Sequence, residues 1–337
     1  MIRQYGQSND YQFSHLDCGQ GLSNNHVTCL YKDKRGFMWF GTVSGLNRYD
    51  GYQFRIFKHD SKDPHSIGDN YIDQIFDGPE GKMWVGLPAG GFSIYDIAHD
   101  RFDQDYTAWL RRWSLPEYML LKIIPSRPGC WFVYRDNGLF HYGADGQIQA
   151  VRPDPFKPGS LDPSLVADAR EDGEGNCWVI HQNGLLEKID GILHRVVYRT
   201  TLLEKSFVGT AITCNLFIDR QNDLWISSQG SFKGTFCFHP ATGMLRLLSQ
   251  EQPGPGRLSS DLIYSAIQDS KGLIWLATDH GGVDIVDKNN WSVTTLAHNE
   301  EDRKSVAENS VTCIYRDSAG AMWLSITRPS GNATSPE

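Results

Sequence analysis

Six residues have the types and spacing to hold a ligand: Trp113, Arg135, His181, Gln229, Asp279 and His280. They bring a flat indole, a cation, a carboxamide, a carboxylate and two imidazoles. This mixture suits hydrogen bonding to hydroxyl groups with a ring stacked alongside. It holds no obvious nucleophile with a base, so no catalytic residue is nominated and no enzyme is expected. Paired carboxylates at Glu171–Asp172 and Glu300–Glu301–Asp302 read as solvated surface. The seven cysteines form no Cys-x-x-Cys or Cys/His cluster, so neither a metal nor a cofactor is expected.

The positions of these residues follow from a repeat. Seven of the ten tryptophans fall on one frame: Trp39, Trp84, Trp131, Trp178, Trp225, Trp275 and Trp323. The spacings are 45, 47, 47, 47, 50 and 48 residues. A period in that range marks a propeller or array, whose repeats cannot bury their faces alone. Asp-x-x-Gly-x-x-Trp recurs at Asp33, Asp172, Asp269 and Asp317, with Asn222 replacing the glycine after Asp219. Asn is the side chain that best tolerates a left-handed turn. The second copy has its acid one residue early, at Asp77, and the third has none. Each copy reads as a hairpin, a second turn (Gly45, Gly90, Gly138, Gly184, Gly281), a third strand and a more polar fourth strand.

Four short strands per copy make one propeller blade. The expected fold is therefore all-β, a seven-bladed β-propeller of four-stranded blades. The last blade is incomplete in sequence. Tyr11-Gln12-Phe13 repeats Tyr52-Gln53-Phe54, so the N-terminal strand is expected to supply the outer strand of the last blade and close the ring. The expected boundaries are 1–10, a disordered stretch or leader remnant; 11–327, the propeller; and 328–337, a polar off-frame tail. Within that fold, His181 and His280 share the loop after the Trp strand, near the axis, and Arg135, Gln229 and Asp279 join them. Trp109 and Trp113 sit off the frame.

Net charge is -8 with no basic cluster, against nucleic acid as a partner. No apolar run reaches the roughly 20 residues of a membrane helix, so no membrane contact by this chain is expected.

The segment GLSNNHVTCLYKDKRGFMWFGTVSGLNRYDG resembles the two-component regulator propeller repeat. That repeat builds the N-terminal sensor region of hybrid two-component system proteins of Bacteroidetes. The resemblance implies a periplasmic propeller, followed in such proteins by a second propeller, an Ig-like domain, a membrane helix, a histidine kinase, a receiver and a DNA-binding module. It implies ligand sensing or docking, with an oligosaccharide as ligand and the second propeller and downstream modules as partners. The Asp-x-x-Gly-x-x-Trp motif also resembles the structural Asp-box of sialidases, but Tyr134 and the single Arg135 do not make their arginine cluster. The alternatives are a stand-alone secreted lyase or glycosidase, and a protein-docking scaffold without a small ligand.

Overall fold

The computed structural model describes residues 11, 13–126, 129–207, 213–302 and 304–327. The expected segments 1–10 and 328–337 lie outside the described residues. Within them the chain folds into six four-stranded antiparallel sheets and one two-stranded sheet. The six blades span residues 27–57, 74–103, 120–151, 166–200, 213–248 and 263–296. The hairpin Val311–Arg316 with Met322–Ile326 takes the seventh place. First strands of neighbouring blades touch all the way round, including Val27–Lys32 against Val311–Arg316. The ring is thus closed by contact. Among the described residues, only six of the seven expected blades have four strands.

The N-terminal segment does not add the expected outer strand. Tyr11 and Phe13–Asp17 form no strand. Tyr11 sets its ring edge-on to Trp275 at 4.9 Å, and the Phe13 N–H donates to the Lys304 carbonyl at 3.3 Å. The reason is topological. An outer strand pairs with a third strand, and no third strand follows Met322–Ile326 among the described residues. The seam relies instead on side chains: Lys32 pairs with Asp317 at 2.8 Å, and Phe40 meets Trp323 edge-on.

The tryptophan frame is the core. Trp39, Trp84, Trp131, Trp178, Trp225 and Trp275 are fully buried between neighbouring blades, while Trp323 on the two-stranded sheet is only half-buried. The Asp of the repeat organises the hairpin and the tryptophan together. Asp33 Oδ1 accepts the N–H groups of Arg35 and Phe37, and Oδ2 accepts the Trp39 indole N–H at 2.9 Å. Asp172, Asp219, Asp269 and Asp317 repeat this, with indole bonds of 3.1, 3.1, 3.1 and 3.4 Å. Asn222 has φ +62°, as the motif requires. In blade six the second turn has left-handed residues at His280 (φ +60°) and Gly282 (φ +80°), the glycine one residue beyond the expected Gly281; a Cβ on Gly282 would come within 2.2 Å of the Leu296 carbonyl.

Between blades two and three the chain departs from the repeat. Asp105 caps a short helix, Tyr106–Arg112, by accepting the Ala108 N–H. The helix lays Leu110 and Trp113 into the core between those blades.

Candidate functional site

The loop face is built from two slots of the repeat. One is four residues after each frame tryptophan: Val43, Pro88, Arg135, Gln182, Gln229, Asp279 and Thr327. The other is thirteen residues before it: His26, Tyr71, Tyr118, Leu165, Leu262 and Ser310, the fifth copy's position 212 lying outside the described residues. Both flank the mouth of the ring, because the second slot lies at or just before the innermost strand of each blade. Backbone bonds hold the two side by side. The N–H groups of Val43, Gln182 and Asp279 donate to the carbonyls of His26, Leu165 and Leu262 at 3.3, 2.8 and 2.9 Å. In blade three the Arg135 N–H reaches one residue further, to Met119, at 3.3 Å.

The outcome is a collar of mixed polar and apolar side chains, with Tyr118, Leu165 and Leu262 set beside Arg135, Gln182 and Asp279. Large apolar groups lie open on it: Tyr71 is 40% exposed, Tyr118 62%, Leu165 41% and Leu262 43%. Exposed apolar groups in one surface zone are a mark of a binding face. The two tyrosines sit on adjacent blades, so one sector is aromatic. Arg135 is exposed beside them. The carbonyl of Arg135 takes the Val166 N–H at 2.8 Å, which places it between Tyr118–Met119 and Leu165.

Of the six expected site residues, Arg135, Gln229 and Asp279 occupy the same slot on blades three, five and six. Asp279 accepts the Ser310 hydroxyl at 2.7 Å and meets His280 Nδ1 at 2.9 Å. His280 is exposed, with φ +60°.

The other two are corrected. Trp113 is only 8% exposed and stacks on Trp84 at 6.1 Å, so it fills the gap between blades two and three and offers no platform. His181 is 0% exposed. It lies one residue earlier in the repeat, in a slot that points into the blade. There Thr42 and Thr278 each donate to a turn carbonyl, of Gly45 and Gly282. His181 serves likewise: Nδ1 meets the Ser164 carbonyl at 2.8 Å and Nε2 meets Glu187 Oε2 at 2.7 Å. Glu187 also accepts Arg199 Nε and the Asp162 N–H. Burial by itself would raise the Glu187 carboxyl; bonds from His181, Asp162 and Arg199 outweigh it and hold the group below the usual range. Both ring nitrogens of His181 are engaged in holding two connections of blade four together.

The collar tyrosines and leucines were missed as site residues. Their signal was a fixed distance from the tryptophan, hidden because an apolar residue entering a strand reads as core.

Among the described residues no group of three or more His, Cys, Asp or Glu side chains is placed to hold a metal ion. The cysteines are unpaired, and burial pushes Cys130 and Cys214 up to about 12. Buried thiols held protonated in this way are not poised as nucleophiles. Among the described residues no helix is long and apolar enough to cross a membrane.

Three segments, residues 21–44, 257–280 and 305–328, match the family model of the two-component regulator propeller. A stretch of 61 residues is 36% identical to histidine kinase P4 of Formosa agariphila, covering 18% of this chain and 4% of that protein. The fold is shared with the extracellular domain assigned to a hybrid two-component system of B. thetaiotaomicron: TM-score 0.69, 22% identity, 94% of this chain and 40% of that one. A second such domain, assigned to a one-component system of the same organism, gives a TM-score of 0.66 at 19% identity, over 96% and 39%. The chain thus spans about 40% of the length of these solved structures and a small part of the kinase. The matched segments carry Trp39, Trp275 and Trp323 of the frame, so these three repeats are similar to the two-component regulator propeller repeat.

Proposed function

We propose that this propeller is a non-catalytic sensing module of a two-component-type sensor, acting outside the cytoplasmic membrane and binding an oligosaccharide on its loop face. The observation that carries this reading is the collar. Exposed aromatic and aliphatic groups lie there among Arg135, Gln182, Gln229 and Asp279, on loops fixed by the ring. Sugars present apolar ring faces and hydroxyl edges, and a rigid surface of that mixture suits both. The likeness to extracellular domains of sensor systems supports the cellular setting. In this reading a second propeller and a histidine kinase elsewhere in the parent protein are the partners that carry the signal.

The test is calorimetry of this chain against neutral and acidic oligosaccharides. One class should bind. Tyr118→Ala and Arg135→Ala should each weaken it about tenfold or more with the thermal melt unchanged, while Trp113→Ala should lower the melt. Binding that survives both collar substitutions would exclude the collar. If no sugar binds, and Tyr71 and Tyr118 become protected only in a chain extended through its neighbouring module, the collar is a docking surface.

A further inference from the structure

The outer rim of blade four carries a second candidate surface. The links between blades that begin at Asp60, Asp154 and Asn299 fold on one plan. In each, a serine hydroxyl donates to the first carbonyl: Ser66 to Asp60, Ser160 to Asp154 and Ser305 to Asn299, at 3.0, 2.7 and 3.1 Å. The carbonyl just before that serine accepts a backbone N–H from elsewhere in the chain: His65 from Phe102, Gly159 from Val196 and Lys304 from Phe13. The tip of the plan is Lys62, Phe156 or Glu301. It accepts a charge of either sign, so the loop does not need an aromatic ring there. Phe156 is nonetheless 94% exposed, and leaving a phenyl ring in water forgoes the gain from its burial. The next slot is Asp63, Lys157 or Asp302. The charge of that slot is thus reversed in the same copy that gains the phenyl ring.

A cleft of about 730 Å³ opens between this loop and the outer strand of blade four, Arg195–Thr200. Phe156, Pro158, Val197 and Tyr198 give it apolar walls, and Lys157 and Arg199 border it. Val197 is 48% exposed. The walls are fixed in place. Pro153, Pro155 and Pro158 stiffen the loop. The Val196 N–H holds it to the strand at 2.7 Å, and Arg199 donates to the Ser160 carbonyl at 3.2 Å while its Nε meets Glu187 at 2.7 Å. A preformed cleft keeps the ordering cost of binding low.

Charge restricts what can fill it. Lys157 and Arg195 are exposed, and among the described residues neither forms an ion pair with a carboxylate. The Arg195 stem runs beside the loop, where a Cβ on Gly159 would stand 3.6 Å from Arg195 Cδ. The acids nearby are engaged. Asp154 accepts the Phe156 N–H, and Asp190 accepts the N–H groups of Ile192 and Leu193. The chain as a whole carries -8, so an apolar cleft flanked by two unpaired cations is a place where an acidic partner is drawn in and oriented. We infer that this cleft docks an acidic peptide segment of a partner protein. An apolar side chain of the segment packs on Phe156 and Val197, and carboxylates on either side of it meet Lys157 and Arg195. A recess between loop and strand suits a chain segment better than a bilayer, which meets a protruding surface. The site is separate from the loop-face collar and does not rest on the function proposed for it.

The probe is a fluorescein-labelled hexapeptide, Glu-Glu-Leu-Phe-Glu-Glu, titrated with this chain and read by anisotropy. The controls are Gln-Gln-Leu-Phe-Gln-Gln and Glu-Glu-Ser-Ser-Glu-Glu. The expected result is saturable binding of the first peptide, at least tenfold weaker for either control. Lys157→Asp and Phe156→Lys each introduce a residue that a sister loop already carries, so both should keep the wild-type melt. Lys157→Asp should weaken binding at least tenfold. Phe156→Lys should do the same although it adds a cation; tighter binding there would reveal bare charge attraction and overturn the inference. No saturation at millimolar peptide would also overturn it, as would binding that survives Lys157→Asp. Binding to phosphatidylglycerol vesicles that Phe156→Lys abolishes, with none to the peptide, would make the surface a membrane contact and exclude the peptide. Peptide binding lost only in Arg135→Ala or Tyr118→Ala would place the peptide on the collar and sink the cleft, while sugar binding at the collar would still be read separately by calorimetry.

Discussion

Blades two and three differ from blades one and four to seven in one residue of the hairpin, and much follows from it. Where Asp is present, one carboxylate satisfies two backbone N–H groups of the turn and the indole N–H beneath it. Turn and core are then a single unit, as with Asp269, Lys271, Leu273 and Trp275. Where it is absent, turn and tryptophan are separate. Blade two closes its turn through Pro79–Gly81 instead, and Asp77 faces Tyr31 of blade one at 2.5 Å. The tryptophan stays buried in both cases. Burial is thus set by blade packing, while the Asp secures the polar atom that burial would strand.

The largest effect that can test this comparison is removal of a boxed indole. Trp275→Ala should cost about 3–5 kcal/mol in denaturant melts, the range for a large buried aromatic. It also leaves the 7% exposed Asp269 with an unused oxygen. Trp109→Ala should cost about 1 kcal/mol or less, since Trp109 is half-buried beside Trp113. Equal losses would break the link between the frame and the core.

Next comes the carboxylate. Asp269→Ala orphans three donors and should cost about 2–3 kcal/mol. Asp77→Ala, in the blade without the box, loses a hydroxyl partner and a weak contact to exposed Lys34, and should cost about 1 kcal/mol. If Asp77→Ala proves the more damaging, the Asp does not organise the hairpin as described.

Much of this was readable in the sequence, because the tryptophan spacing and the Asp-x-x-Gly-x-x-Trp motif encode burial and turn geometry in the same residues. Asn222 follows that logic. The seventh blade was not readable as a two-stranded sheet, since Tyr11-Gln12-Phe13 copies an outer strand whose partner strand does not occur among the described residues. His181 and Trp113 looked functional because polarity and an off-frame indole say nothing of direction. His181 lies one residue from an outward slot, and Trp113 follows a helix that a strand-based frame cannot foresee. The collar was hidden for the opposite reason: Leu165 and Leu262 have core chemistry in an exposed place.

A pH effect distinguishes blade three further. Trp131 packs against His141, whose Nδ1 lies 3.2 Å from His194 Nε2 of blade four. Burial first, then the neighbouring His194, pushes His141 down to about 4, while Asp145 works the other way. Burial lowers His194 too, opposed by Asp190. In the unfolded chain a histidine titrates near about 6.5. Between those values the unfolded state holds the extra proton, so stability is full above about 6.5 and falls as the pH drops toward about 4. Melting temperature should decline over that window. His141→Gln should flatten the decline, and Trp275→Phe in a boxed blade should not. An unchanged slope in His141→Gln would remove the pair from the acid response.

The smallest effect concerns the turn itself. In blade two Glu80 sits at φ +57°, a left-handed position held by a non-glycine residue without an Asp to support it. Glu80→Gly would relieve about 1 kcal/mol of backbone cost. Against that, glycine adds about 0.5–1 kcal/mol of unfolded-state entropy. The pair with Arg112, largely exposed on the arginine side, contributes about 0.2–1 kcal/mol and would be lost. The terms nearly cancel, so the melt should move by about 0.5 kcal/mol or less. In blade five, Asn222→Gly faces the same entropy cost with less strain to relieve, and it also loses the bond from the Gly173 N–H at 3.0 Å that ties blade four to blade five. That variant should be the less stable of the two by a few tenths of a kcal/mol. A large destabilisation by Glu80→Gly would show that the unboxed turn is held by its side chain after all, and that blade two has its own device in place of the missing carboxylate.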